Sequence, residues 1–501
     1  MPEGGRAPTA GARESMKRVL VRVFRDPFQP VNPVRVWREN QVSGNTGNLL
    51  FSDAAVRAVA CEDVEVTCWT DAEMSERAEE VAERFDHVVI PLANAFRNAY
   101  RGRLQSLTST IRTMATPVTV LGVGAQSSAD YDLEAMASVD ETAREFARAV
   151  LEHSGAIGVR GEFTARYLAS LGFDEVEVIG CPSMFVHGDR MPAQKPLADT
   201  TTDLAISLGL TPDAPMDAQW LDELVAQHPR LSYIPQDRID LETMIWGHAE
   251  VAGPRSQAGF PSDLSHPVFA DRVARIHLDP RSWIEDLRSA DLAIGTRIHG
   301  VIAGLLAGIP AHLLVHDSRT RELAEHFGIP HTRIDGGRAL PSLEEVLAAD
   351  ASSTYRAHPA RWEQFSAFLD RQDLPHVWRE SAVSTYDDRL PPVTAPVVVD
   401  HGRTPTPAEV LAWVEEYHSA SVVRLERQAA RQRAQLRRQA RTASGLRREV
   451  KELRRDARAA DKRAERLAGR LDELGAQVAE LQAAPSGLRE RLGAAVRRRE
   501  E

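Results

Sequence analysis

Two stretches of this sequence concentrate side chains that bind anions and move protons. In DLAIGTRIHGVIAGLLAGIP, from Asp291, an apolar run is followed at once by Thr296, Arg297 and His299, then by an apolar stretch punctuated by Gly300, Gly304 and Gly308. Further on, AHLLV leads directly into His316, Asp317 and Arg319. Arginine fixes carboxylates and phosphates through paired hydrogen bonds, and histidine exchanges its proton near neutrality. Three other segments have the composition of turns that approach a ligand. SGNTGNLLFSDAAVRAV, from Ser43, is a Gly/Asn-rich turn opening into a helix, and the N–H groups of such a turn, here at Asn45, Gly47 and Asn48, suit an anion. VTVLGVGAQ ends a buried run in Gly122, Gly124 and Gln126, and AIGVRGEF sets Arg160 between a strand and a helix that starts at Gly161–Glu162.

These groups act together only if the elements carrying them bring their ends together. From Lys17 to about Met191, short runs rich in β-branched residues (RVLVRVF, VEVTCW, HVVIPL, VTVLGVG, AIGVR, VEVIG) alternate with helical patterns. That rhythm predicts a parallel sheet covered by helices on both faces. Residues 133–153 have the period of a crossover helix. The rhythm breaks at 190–202 and resumes with DLAISLGL. A helix near 216–228, the strand SYIPQ, a helix at 282–289, the strand DLAIG, a helix from Ile298 to Ala307, the strand AHLLV and a helix from Thr320 to Phe327 complete it. The expected fold class is α/β, with two Rossmann-like parallel-sheet domains, at 16–195 and 200–390, in a GT-B-like arrangement. Ligands in such folds sit beyond the C-terminal strand ends, here in the cleft between domains. Residues 247–267 are a Gly/Pro-rich insertion with the composition of a lid or of a surface loop.

The ends of the chain differ from its body. Residues 1–15 lack the apolar centre of a secretory signal and are expected to be a disordered leader. Residues 391–419 are expected to form a linker and a short helix, 420–484 a coiled coil and 485–501 a basic tail. Val450, Leu453, Ala457, Ala460, Ala464, Leu467, Leu471, Leu474, Val478 and Leu481 recur alternately three and four apart, the seam of a coiled coil that makes a homo-oligomer. From Arg424 to Glu501 there are 22 basic and 12 acidic residues, so the rest of the chain is more acidic than its formal net charge of −11 implies. An acidic body excludes a nucleic-acid-binding globular part, whereas the basic tail suits peripheral association with a membrane or an anionic polymer. The three cysteines form no CxxC pair, and Val301–Val315, interrupted by Pro310, is too short to span a bilayer. A cytoplasmic location follows as an expectation.

GVGAQ, the Arg160–Gly161 step, VIGCPSMF from Val178 and above all TRIHGVIAGLLAGIPAHLLVHDSR resemble the successive motifs of the polysaccharide pyruvyl transferase family. The resemblance runs from about Ser43 to Ile329. It implies a GT-B-like transferase of polysaccharide biosynthesis that moves the pyruvyl group of phosphoenolpyruvate to a saccharide acceptor, commonly as a ketal, with no cofactor beyond that donor and no metal. On it, Arg297 binds the donor's anionic groups and His299 transfers the proton. Arg160, Asn45, Gly47, Asn48, Gly124 and Gln126 become donor contacts. His316, Asp317 and Arg319 stand behind them or on the acceptor side, with Asp317 orienting a histidine. Two residues depart from the family pattern: Asn48 replaces the acidic end of an N-x-G-D turn, and Arg319 stands where lysine is frequent. Two other readings fit the same residues: a GT-B glycosyltransferase whose nucleotide-sugar diphosphate occupies the basic site, and a non-catalytic scaffold of the same fold carried by the coiled coil.

Overall fold

The computed structural model describes residues 16–196, 203–208, 218–247, 261, 264–270, 273–334, 340–399, 433, 445 and 450–480. The leader, most of the 247–267 insertion and the basic tail lie outside the described residues. The chain divides into two compact units, Met1–Thr404 and Pro405–Glu501.

Within the first unit, the apolar runs form two parallel sheets. Strands β1 (Lys17–Arg22), β2 (Val64–Trp69), β3 (His87–Pro91) and β4 (Val118–Leu121) lie in the order β2-β1-β3-β4. Val19 is level with Val66, and Ile90 with Val120. Every residue of β3 and β4 is buried, which is why these runs do not alternate apolar with polar, and their two polar side chains, His87 and Thr119, bond each other at 2.8 Å. Beyond β4 the pair Ile157–Val159 and Val176–Val178 prolongs the layer through a bridge between Val123 and Val159.

The second sheet holds β5 (Leu204–Ser207), β6 (Ser232–Tyr233), β7 (Leu292–Gly295), β8 (Ala311–Val315) and β9 (His331–Arg333) in the order β6-β5-β7-β8-β9, again all parallel. Two parallel α/β sheets in one chain are the GT-B-like architecture expected. Helices α1 (Gly47–Val59) and α4 (Ile298–Ala307) meet between them, and one apolar core containing Phe51, Val56, Ile302 and Leu305 runs through both halves. All ten residues of α4 are buried. Its glycines have a packing reason, since a Cβ at Gly304 would stand 2.6 Å from the Cβ of Ala293 on β7.

Three details differ from the expectation. Residues 133–153 are a 3-10 segment, Glu134–Val139, followed by the α-helix Asp140–Leu151. The stretch beyond Ser353, assigned by sequence to the second domain, crosses back to the first. Helix α6 (Ser353–Arg371) starts with Thr354 Oγ1 donating to the Gly328 carbonyl. It stacks Phe365 on Phe185 at 4.6 Å, and the chain after it donates from Val377 N to Ala58 O and from Thr385 N to Ala60 O. The apolar face of α6 fits either core, so its pattern carries no address. Finally, Val397–Val398 pairs antiparallel with Arg275–Ile276, so part of the expected linker is docked.

In the second unit, residues 450–480 are helical and exposed throughout. Val450, Leu453, Leu467, Leu471, Leu474 and Val478 of the seam are 48 to 69% exposed.

Candidate active site

The C-terminal ends of both sheets open on a cleft of about 260 Å³. The turn of the first half is tied to the second half by backbone: Thr46 N donates to Gln236 O at 2.8 Å, and Arg238 N donates to Gly44 O at 3.0 Å. Within the turn, Asn48 Nδ2 donates to Val42 O at 2.9 Å. An aspartate has no N–H for that bond, so the amide at position 48 does turn-closing work. Gly47 is set against the ring of His299, and a Cβ there would stand 2.7 Å from both Cβ and Nδ1 of the histidine.

Arg297 is the extended residue preceding α4, and its Nη2 reaches both oxygens of Asp237 at 2.6 Å. Asp237 caps helix α3 (Arg238–Trp246), and Asn45 Nδ2 donates to it at 3.4 Å. His299 lies in the first turn of α4, stacked on Phe51 with ring centres 5.6 Å apart, its Nε2 3.7 Å from Cys181 Sγ. Burial, followed by the guanidiniums of Arg160, Arg319 and Arg297, pushes its pKa down to about 3. This corrects the expectation of a histidine that protonates near neutrality: His299 is a neutral imidazole, because the chain seals it between α1 and α4.

Arg160 leaves the strand Ile157–Val159 and is 2% exposed, with no partner for its Nε. Burial lowers its pKa. The carboxyl behind it, Glu322, instead binds Thr164 across the start of helix α2 (Glu162–Ser170), with Oε2 accepting from the backbone N at 3.0 Å and Oε1 from Oγ1 at 2.8 Å. Burial raises Glu322 to about 8. On the next strand end, Asp317 caps helix α5 (Ser318–Phe327) by accepting from Thr320 N at 2.9 Å, and accepts from Arg319 Nε at 2.7 Å and Gln126 Nε2 at 3.3 Å. Burial opposes its ionisation, but Arg319, His316 and Thr320 outweigh burial and hold it well below the usual carboxylate range. Burial likewise lowers His316, against the pull of Asp317.

Of the residues anticipated from sequence, Asn45, Asn48, Arg160, Arg297, His299 and Arg319 line the cleft. Gly47, Gly124 and Gln126 stand behind it, which corrects their expected place as direct contacts, and His316 and Asp317, expected behind the donor contacts or on the acceptor side, also lie outside its lining. Gly124 makes room for the Arg160 stem, a Cβ there lying 3.3 Å from Arg160 Cδ. Sequence reasoning missed Asp237, Arg22, Arg97, Arg103 and the role of Cys181. Asp237 had a signal, for it directly follows the strand run SYIPQ. Arg22 had one too, as the last residue of β1, whereas Arg97 follows the short strand Asn94–Phe96 and Arg103 lies in the first turn of the helix Arg101–Met114, where no apolar run points to them.

Six guanidiniums therefore line the cleft: Arg22, Arg97, Arg103, Arg160, Arg297 and Arg319. Three pair with carboxylates, Asp71, Asp237 and Asp317. The surplus, focused between low-dielectric walls, suits a ligand with about three negative charges. Among the described residues no cluster of three or more His, Cys, Asp or Glu is placed to hold a metal ion, and no helix is long and apolar enough to cross a membrane.

The family model described as polysaccharide pyruvyl transferase matches residues 45–318. No curated protein matches the chain. Among solved structures, it is similar to the UDP-GlcNAc 2-epimerase of Methanocaldococcus jannaschii in complex with UDP-GlcNAc and UDP, at 10% identity and a TM-score of 0.43, over 71% of this chain and 99% of that one. It is also similar to the UDP-N-acetylglucosamine 2-epimerase of Rickettsia bellii, at 10% identity and a TM-score of 0.40, over 72% of this chain and 97% of that one.

Proposed function

Since the chain belongs to the polysaccharide pyruvyl transferase family and is a transferase of pyruvyl groups to saccharides, we propose that its donor is phosphoenolpyruvate, held by Arg160, Arg297 and Arg319 over His299. The observation that carries this reading is the buried, partnerless Arg160 within a cleft whose guanidiniums outnumber their carboxylate partners by three. A buried unpaired cation costs several kcal/mol unless an anion meets it. Phosphoenolpyruvate brings a carboxylate and a phosphate, close to three negative charges at neutral pH.

In this reading Arg297, fixed by Asp237, and Arg319, fixed by Asp317, clamp the two anionic groups, and Arg160 neutralises the remainder. The turn at Asn45 and Asn48 adds polar contacts. His299 delivers a proton to the donor's methylene carbon, and an acceptor hydroxyl adds to the neighbouring carbon. The three unpaired cysteines support a cytoplasmic site of action. The exposed seam of residues 450–480 supports a homo-oligomer, and the arginines beyond it support contact with an anionic membrane or polymer. Incubation with phosphoenolpyruvate and candidate glycans, followed by phosphate release and glycan mass, tests the reaction. Donor-dependent phosphate release with a heavier glycan is expected. Release of nucleotide from a nucleotide sugar, with phosphoenolpyruvate untouched, overturns the donor assignment.

A further inference from the structure

The neutral state of His299 poses a chemical problem, because a neutral imidazole that gives up its only N–H proton without replacement becomes an imidazolate. The side chains around it supply the replacement. Nε2 of His299 is turned toward Cys181 Sγ at 3.7 Å, and that sulfur is in turn 3.0 Å from Ser183 Oγ. Cys181 and Ser183 are fully buried. On the other side of the ring, Nδ1 lies close against Gly47, where a Cβ would stand 2.7 Å from it, and His299 borders the cleft. The guanidinium of Arg160, itself 2% exposed and with Nε partnerless, borders the same cleft as His299.

We propose that Cys181 is a positioning residue and proton reservoir for His299, its S–H donating to Nε2 so that Nδ1 carries the proton presented to the cleft. The inference rests on the donor reading above. In the transfer, the Nδ1–H bond breaks as a C–H bond forms at the donor's methylene carbon. Nε2 takes the thiol proton, the ring stays neutral in its other tautomer, and the negative charge comes to rest on sulfur beside Arg160. When an acceptor hydroxyl adds to the cationic carbon, its proton returns through the ring to the thiolate. The bond from that carbon to the phosphate oxygen then breaks as a second acceptor hydroxyl adds, and the proton of that hydroxyl leaves with the phosphate, so protons and charge balance. Ser183 donates to the sulfur throughout and stabilises the thiolate. The charged and titratable groups facing this chain are Arg160, Arg297 and Arg319 around the ring, with Glu322 and Asp317 behind Arg160. The three cations disfavour an imidazolium at His299, so the ring passes a proton on rather than keeping a second one.

The test uses the full-length protein. In nitrogen-15 spectra the tautomer of His299 is read without any turnover: the expected result is Nδ1–H in the native protein, with a mixed or Nε2–H population in Cys181→Ala. A native Nε2–H tautomer overturns the relay, whatever the activity. In the assay with phosphoenolpyruvate, Cys181→Ala is expected to lower kcat by about ten- to a hundredfold with donor KM kept, within the range of proton-transfer effects. Cys181→Ser, which keeps a hydrogen-bond donor at the same place, is expected to restore part of the rate. A folded Cys181→Ala protein with native kcat and native pH profile also overturns it. Native protein inert toward phosphoenolpyruvate but with the Nδ1–H tautomer overturns the donor reading instead, so the two failures are distinct.

Discussion

The two walls of the cleft differ in how they hold their arginines. On the wall from the second sheet, Arg297 and Arg319 are each latched to a carboxylate, Asp237 and Asp317, at 2.6 and 2.7 Å. On the wall from the first half, Arg22 is latched to Asp71, whereas Arg160 is deeper and has no such latch. A latched guanidinium is fixed in direction but largely neutralised, whereas an unlatched one keeps its charge at a cost in stability. The walls thus divide the task of holding an anion: one orients it and the other supplies the field that draws it in.

The comparison is broken most directly at the group between the walls. His299→Asn is expected to lower turnover by about 10²–10⁴, the usual worth of a positioned proton donor, while donor KM stays near native. Phosphate release and thermal unfolding measured together check this, and a folded variant with normal turnover removes His299 from the chemistry. Next in size, Arg160→Met and Arg319→Met should both raise donor KM, by about ten- to a hundredfold for charge-assisted bonds of about 1.5–3 kcal/mol. They should move the melting temperature in opposite directions. Losing Arg160 removes an unpaired buried cation and raises it, while losing Arg319 strands the buried Asp317 and lowers it. A fall in both variants would end the distinction between the walls.

A smaller effect is expected from Asp237→Asn, which frees Arg297 without removing it. Donor KM should rise by about tenfold or less, the worth of one oriented ionic hydrogen bond of roughly 1.5 kcal/mol, with kcat kept. Titration calorimetry with phosphoenolpyruvate measures the same change without turnover, and native affinity would show that Arg297 needs no orienting partner.

The last expected effect concerns pH and is read on stability rather than on the reaction. Burial lowers the pKa of His299 to about 3, His312 to about 4 and His326 to about 3, and lowers His316, all in the second half. In the first half it lowers His87 to about 4 and also lowers His187. A histidine whose folded pKa lies below its unfolded value of about 6.5 contributes stability above that value and loses it as pH falls toward the folded one. Between pH 6.5 and about 4 the protein should therefore lose stability, and amide exchange should quicken in the second sheet before the first. Uniform quickening would show that the two halves open as one.

Much of the site was legible because strand ends are visible in sequence. Apolar runs end where side chains meet the cleft, so Arg160, Arg297, His299 and Arg319 stand out without knowledge of contacts. The same rule applied to SYIPQ would have reached Asp237. Arg97 lay beyond it, because a three-residue strand such as Asn94–Phe96 leaves no period to follow.

By itself, then, the sequence determined the two parallel sheets, the junctions that bear charge and the exposed seam of the tail, since all three are periodic or local. Tertiary structure alone decided that α6 crosses from one half to the other, that Asp237 latches Arg297 and that Arg160 goes unpaired. It also decided that His299 is neutral and set against Cys181, which lies 118 positions away in the chain. Burial and partnership are properties of neighbours brought together by folding, and a titratable group takes its charge from those neighbours rather than from its own residue type.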